Sequence, residues 1–98
     1  MSTAEWEFDP EVGGEMHLLC ADVGVEAGLS RFLEAGDPIR WTIPERETLL
    51  VLEGAARIEI AGGPTLDLKA GDIASLPAGA DTTWHLTTPF KEFWVIHR

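Results

Sequence analysis

Turn formers cut this chain into short pieces, and that punctuation limits its fold more than any other feature. Asp9-Pro10, Gly13-Gly14, Gly36-Asp37-Pro38, Gly54, Gly62-Gly63-Pro64, Ala70-Gly71-Asp72, Pro77-Ala78-Gly79 and Thr88-Pro89 all read as turns. Between these marks, Ala56-Arg57-Ile58-Glu59-Ile60 and Thr65-Leu66-Asp67-Leu68-Lys69 alternate apolar and polar residues, and Phe93-Trp94-Val95-Ile96 does so less cleanly. Short alternating segments of this kind predict an antiparallel sandwich or barrel. Glu45 to Leu52 is rich in helix formers. Gly54 follows too soon for a good helix, however, and the alternating segment beyond it supplies a hairpin partner, so the reading is strand–turn–strand. Glu15 to Ala21 reads as a strand, and Leu29 to Glu34 fits either state. The fold class expected is all-β.

With 98 residues there is chain for one domain (1–98) and one modest core, so association with a second copy would add useful burial. Lys and Arg total 7 against 17 Asp and Glu, a net charge of -10. That balance argues against nucleic acid, anionic membranes and polyanionic ligands, all of which need clustered cations. The single cysteine, Cys20, excludes an intrachain disulfide and a CxxC metal knuckle. The opening residues are acidic with no apolar signal core, and the longest apolar runs, such as Leu49 to Leu52, are far too short for a membrane helix. A cytoplasmic protein is expected. No nucleophile-elbow Ser-His-Asp pattern and no phosphate loop appears.

Two stretches resemble the cupin motifs. Glu47-Thr48-Leu49-Leu50-Val51-Leu52-Glu53-Gly54 has the glutamate and closing glycine of the first motif. Gly71-Asp72-Ile73-Ala74-Ser75-Leu76-Pro77-Ala78-Gly79 has the Gly, Pro and Gly of the second. Gly71 and Gly79 stand where a reversing chain often needs positive φ. Trp41 with Pro44, then Thr83-Trp84 and Lys91 before a closing strand, resemble the subfamily named for (S)-ureidoglycine aminohydrolase. This resemblance covers about residues 36–98 and implies a small cupin barrel, a double-stranded β-helix or jelly roll. It also implies a homodimer, paired through sheet extension or an exchanged terminal strand. The acidic leader, residues 1–14 with Glu5, Glu7, Asp9, Glu11 and Glu15 at its end, is the candidate for such an exchange and otherwise reads as a solvated segment. A metal-binding cupin would supply two histidines ahead of the glutamate and one after the Pro-x-Gly. Those positions hold Trp41 and Ile43 (or Arg40 and Thr42) and Thr82, so only Glu47 of the four-ligand set is present. One carboxylate holds a transition metal weakly, and no metal or other cofactor is expected.

Glu47 is the candidate of sharpest chemistry. Alternation puts Trp41, Ile43, Glu45 and Glu47 on one face, which the resemblance identifies as the barrel interior. A carboxyl desolvated there suits acid or base work, unless Arg40, Arg31 or Arg57 pairs with it. Trp41 and Trp84 either wall a pocket for a small ligand or plug it. Trp6, in the leader, would pack across a dimer interface. His85 should point outward if Trp84 points inward, and His17 and His97 could join Glu47 in a substitute metal site, which the spacing does not demand. Cys20, on a face with Met16 and Leu18, reads as a buried inert thiol. The expected ligand-binding interior is therefore Trp41, Ile43, Glu47, Thr82 and Trp84. It would bind a small neutral or cationic organic molecule without a three-histidine metal. The rival readings are a small-metabolite enzyme using Glu47, and a plugged barrel serving as an interaction module.

Overall fold

Alternation along the chain becomes strands almost everywhere. A computed structural model describes residues 6–10, 12–34 and 36–97. In order the strands are β1 (Glu7–Asp9), β2 (Gly14–Ala21), β3 (Val25–Phe32), β4 (Ile39–Thr42), β5 (Glu47–Ile60), β6 (Thr65–Lys69), β7 (Ile73–Leu76) and β8 (Asp81–His97). All pairings are antiparallel, and no helix occurs among the described residues. The main path runs β1-β2-β3-β8-β5-β6, with β4 joined to β8 and β7 to β5. The ambiguous stretch from Leu29 is strand as far as Phe32, because β3 is paired to β8 along its whole length, Val25 opposite His97 through Phe32 opposite Phe90.

β5 and β8 organise the architecture because each serves two sheets. The first part of β5 lies between β7 and the end of β8, with Glu47 opposite both Leu76 and Ile96. Its last part lies between β6 and the start of β8, with Ile58 opposite both Leu66 and Trp84. β8 likewise carries β4 beside residues 81–84 and β3 beside residues 90–97. The two strands cross from sheet to sheet at one corner, where the register shifts between Val51, Glu53 and Ala55. Strands that turn such corners do so through bulges.

That corner corrects two readings of the sequence. Gly54 is not a hairpin turn but the bulge inside one 14-residue strand, at φ 78°. A Cβ there would lie 2.4 Å from the carbonyl oxygens of both Thr87 and Pro89, so only glycine fits. Thr88-Pro89 is not a turn either, because it lies within the 17-residue β8 at the same corner. The turn glycines Gly71 and Gly79 do take positive φ, 95° and 83°.

Between the sheets lies a core of Ile43, Leu49, Val51, Ala56, Ile58, Leu76, Trp84, Phe90 and Trp94. Ile43 is brought there by backbone bonds: its N–H reaches the Ala80 carbonyl at 2.9 Å, and its own carbonyl accepts from Gly79 N–H at 2.7 Å. The expectation of a buried Cys20 fails. A register shift between Leu18 and Cys20 breaks the alternation, and the thiol is exposed along with the rest of that half of β2. Part of the leader forms β1, in register with β2 of its own chain. Glu5 and Glu11 lie outside the described residues. Trp6 packs within the chain, with the Arg31 guanidinium 4.1 Å from its ring centroid and His17 beside it. No helix among the described residues is long and apolar enough to cross a membrane.

Candidate functional site

Inward-facing positions of β2, β3, β4, β5 and β8 leave a cavity of about 390 Å³ between the sheets. Trp41 comes from β4, Glu47 from the start of β5, and Trp84, Glu92 and Trp94 from β8, all lining this space. Alternation explains the convergence. Glu47, Leu49 and Val51 face inward on β5, and Phe90, Glu92 and Trp94 face inward on β8, with Trp94 directly opposite Leu49.

The polar atoms of the tryptophans are tied down one by one. The Trp41 indole N–H donates to the Glu47 carboxylate. Trp84 Nε1 donates to Thr82 Oγ1 at 2.8 Å, and the Thr82 hydroxyl in turn donates to the Trp41 carbonyl. Trp94 Nε1 donates to Ser30 Oγ at 2.9 Å. Indoles with their N–H partnered are held in one orientation and leave flat apolar surface for the cavity wall.

Glu47 and Glu92 are both 6 % exposed. Burial pushes the Glu47 carboxyl up to about 7, against a smaller downward pull from the Trp41 hydrogen bond. Burial also pushes Glu92 up to about 8, and the neighbouring Glu47 charge adds to that rise. Among the described residues, none of the three arginines named from the sequence is the structural pair of Glu47. Arg31 binds Glu15 at 3.0 Å and Arg57 lies 3.5 Å from Asp67, while Arg40 borders a separate, polar surface hollow.

Of the five residues expected to line the interior, Trp41, Glu47 and Trp84 meet at this cavity. Thr82 is buried and joins Trp41 and Trp84 through its hydroxyl, and Ile43 is in the solid core. Trp41, Trp84 and Trp94 border this space, and Trp84 and Trp94 are at the same time part of the core. The histidines are dispersed: His85 contacts Glu59, His97 lies 3.3 Å from the Thr48 hydroxyl, and His17 is beside Trp6. His85 does point outward, at 42 % side-chain exposure against 7 % for Trp84. Among the described residues, no group of three His, Cys, Asp or Glu side chains is placed to hold a metal. The positions around Glu47 that would carry imidazoles present indole, sec-butyl and hydroxyl groups instead, a donor set that does not fit the metal centre implied by the resemblance.

Sequence reasoning missed Glu92 and Trp94. The signal was there in Phe90, Glu92, Trp94 and Ile96 at period two. It was hidden because Phe93 and Val95 are also apolar, so the intervening face did not read as solvent-facing.

Comparison with known proteins gives the family and the fold. The family model described as the EutQ-like cupin domain matches residues 34–93. An RmlC-like cupin from Shewanella frigidimarina NCIMB 400 superposes with TM-score 0.80 at 19% identity, over 96% of this chain and 83% of that one. A protein from Salmonella typhimurium LT2, provisionally described as ethanolamine utilization protein Q, gives TM-score 0.75 at 23% identity over 87% and 69%. One from Ralstonia eutropha JMP134, provisionally described as a mannose-6-phosphate isomerase, gives 0.72 at 20% identity over 84% and 82%. Comparison with curated proteins finds no match.

Proposed function

Since the chain belongs to the EutQ-like cupin domain family, we propose that it binds a small organic molecule in its barrel, without the family-type histidine metal centre. One observation carries this reading: an open cavity of about 390 Å³, walled by Trp41, Trp84 and Trp94, contains two buried carboxyls. Ligand sites are apolar hollows of this size holding a few placed polar groups. Similarity to solved structures supports the fold alone, because chains of this architecture serve many chemistries. From the finer likeness to ureidoglycine aminohydrolase-like cupins, carried by Trp41, Pro44 and Thr83-Trp84, the proposal keeps only the aromatic lining.

Indole N–H resonances provide the test. A fragment screen followed on the four tryptophan side chains should shift Trp41, Trp84 and Trp94 and leave Trp6 unmoved, since Trp6 packs on Arg31 away from the cavity. Hits that move Trp6 alone, or no hits in a broad library of small molecules, would remove the pocket reading and favour an interaction module.

A second reading has its own support. Two carboxyls poised at about 7 and about 8 are suited to proton transfer near neutral pH. Glu47 would then act as acid or base on a small metabolite, and Glu47→Gln would abolish turnover.

The expected homodimer is retained in this proposal. Phe8, Leu18, Leu19, Val23 and Leu33 are exposed large apolar residues gathered in and around β1–β3. Light scattering should give twice the chain mass, and a monomer at high concentration would remove the dimer.

A further inference from the structure

Resting on the reading of the cavity as a binding pocket, we infer that its ligand class is small organic cations. The ammonium head would be drawn to Glu47 and Glu92, and the carbon skeleton would lie against Trp41, Trp84 and Trp94.

Charge distribution around the cavity is one-sided. Asp9, Glu26, Glu45, Glu47 and Glu92 line it, and none of the described lining residues is Arg, Lys or His. Asp9, Glu26 and Glu45 are half-buried and the two others buried, so acidic groups run from the half-buried rim of the cavity to its interior. The whole chain adds to it with a net charge of -10.

Glu92 is the independent observation. It is 6 % exposed, it lines the cavity, and among the described residues its carboxyl meets no cation and no side-chain donor. Its electrostatic neighbour is another acid, Glu47. A buried carboxyl facing a like charge with nothing opposite keeps its proton when the cavity is empty, and a cation joining it is what would let it ionise. An aromatic wall then selects which cation. Indole faces attract ammonium groups, more strongly when water is excluded.

Metal ions suit the place poorly. Calcium wants roughly six to eight oxygen ligands, and magnesium keeps its waters. Here the cavity offers two buried carboxyls among indole and alkyl groups, which cannot replace a hydration shell. An ammonium carried on a short carbon chain matches both halves of the lining. Neutral molecules would fill the space yet leave the acid pair unmet, and anions would be repelled.

Matched probes test this on the full chain by calorimetry and by the tryptophan side-chain resonances. Choline and its neutral carbon isostere 3,3-dimethylbutan-1-ol differ in charge and little in shape, and 2-aminoethanol provides a smaller cation. At least one cation should bind about tenfold or more tighter than the alcohol, a gap of about 1.4 kcal/mol. Glu92→Gln should remove that preference while leaving the affinity for the alcohol unchanged. Glu47→Gln serves as the second variant if Glu92→Gln folds poorly. If the alcohol binds as well as the cations, cation selection is wrong and the pocket reading survives. Cation binding that neither variant weakens also overturns the inference. If no probe binds and the three cavity indoles stay unmoved, this inference falls, and the fragment screen alone decides the pocket reading.

Discussion

Trp41 does two jobs with one ring. Its flat surface walls the cavity, and its N–H is the one donor that favours the charged form of Glu47. Trp41→Phe keeps much of the wall and removes the donor. The Glu47 carboxyl should then rise above about 7, read by carboxyl-carbon NMR titration. An unchanged value would mean the indole does not donate to it. In the opposite direction, Glu47→Gln should lower Glu92 from about 8 by removing a neighbouring charge, though not to the ordinary value of 4.5, because burial is the larger cause. Glu47 was readable from the sequence because strand alternation and a motif resemblance both singled it out. Glu92 stands between Lys91 and Phe93 in an ordinary-looking strand. Its importance comes only from being placed on the same inner surface as Glu47, and pairing between distant strands is what a single sequence hides.

β5 and β8 show why strand content was easy to read and strand boundaries were not. Period two survives along both, so their strand character was visible. A glycine at positive φ looks the same in a sequence whether it closes a hairpin or bulges a continuous strand, and Gly54 does the second. What decides is the partner across the corner, the Thr87 and Pro89 carbonyls, which is tertiary information. Gly54→Ala should therefore cost at least ~2 kcal/mol in denaturant unfolding, combining left-handed backbone strain with a clash against carbonyls that cannot swing away. Gly62, where an added Cβ meets nothing within 4 Å, is the control, and Gly62→Ala should cost clearly less. Equal costs at the two sites would argue against the corner. Gly28 has a related role, since a Cβ there would lie 2.6 Å from the Trp94 ring. Its lack of a side chain lets the Trp94 ring lie close against β3.

At the scale of the whole molecule, two buried carboxyls contribute to stability with a pH dependence opposite to that of salt-bridged carboxylates. Glu47 and Glu92 hold protons more tightly folded than unfolded. Their contribution to stability is thus fully present below about 4.5 and is lost as pH rises through about 7 and about 8. Glu47→Gln/Glu92→Gln isolates this from the many other acidic groups. The difference in unfolding free energy between this variant and the parent should grow in the variant's favour from pH 5 to pH 9. A pH-independent difference would mean the two carboxyls are better solvated than their burial implies. A bound cation should flatten the same curve by stabilising the charged pair.

β8 also sets the molecule's clock. It has neighbours on both sides along most of its length, β4 then β3 on one flank and β5 on the other, whereas β1 has only β2 and β6 only β5. Opening β1 breaks one short ladder, but freeing β8 dismantles both sheets at once. Deuterium should therefore enter Glu7–Asp9 early by local fraying and reach the amides of Trp84 to Ile96 only through global unfolding. The strand that carries Trp84, Glu92 and Trp94 would thus be the last to move, and the N-terminal edge could open and close many times over a floor of the site that keeps still.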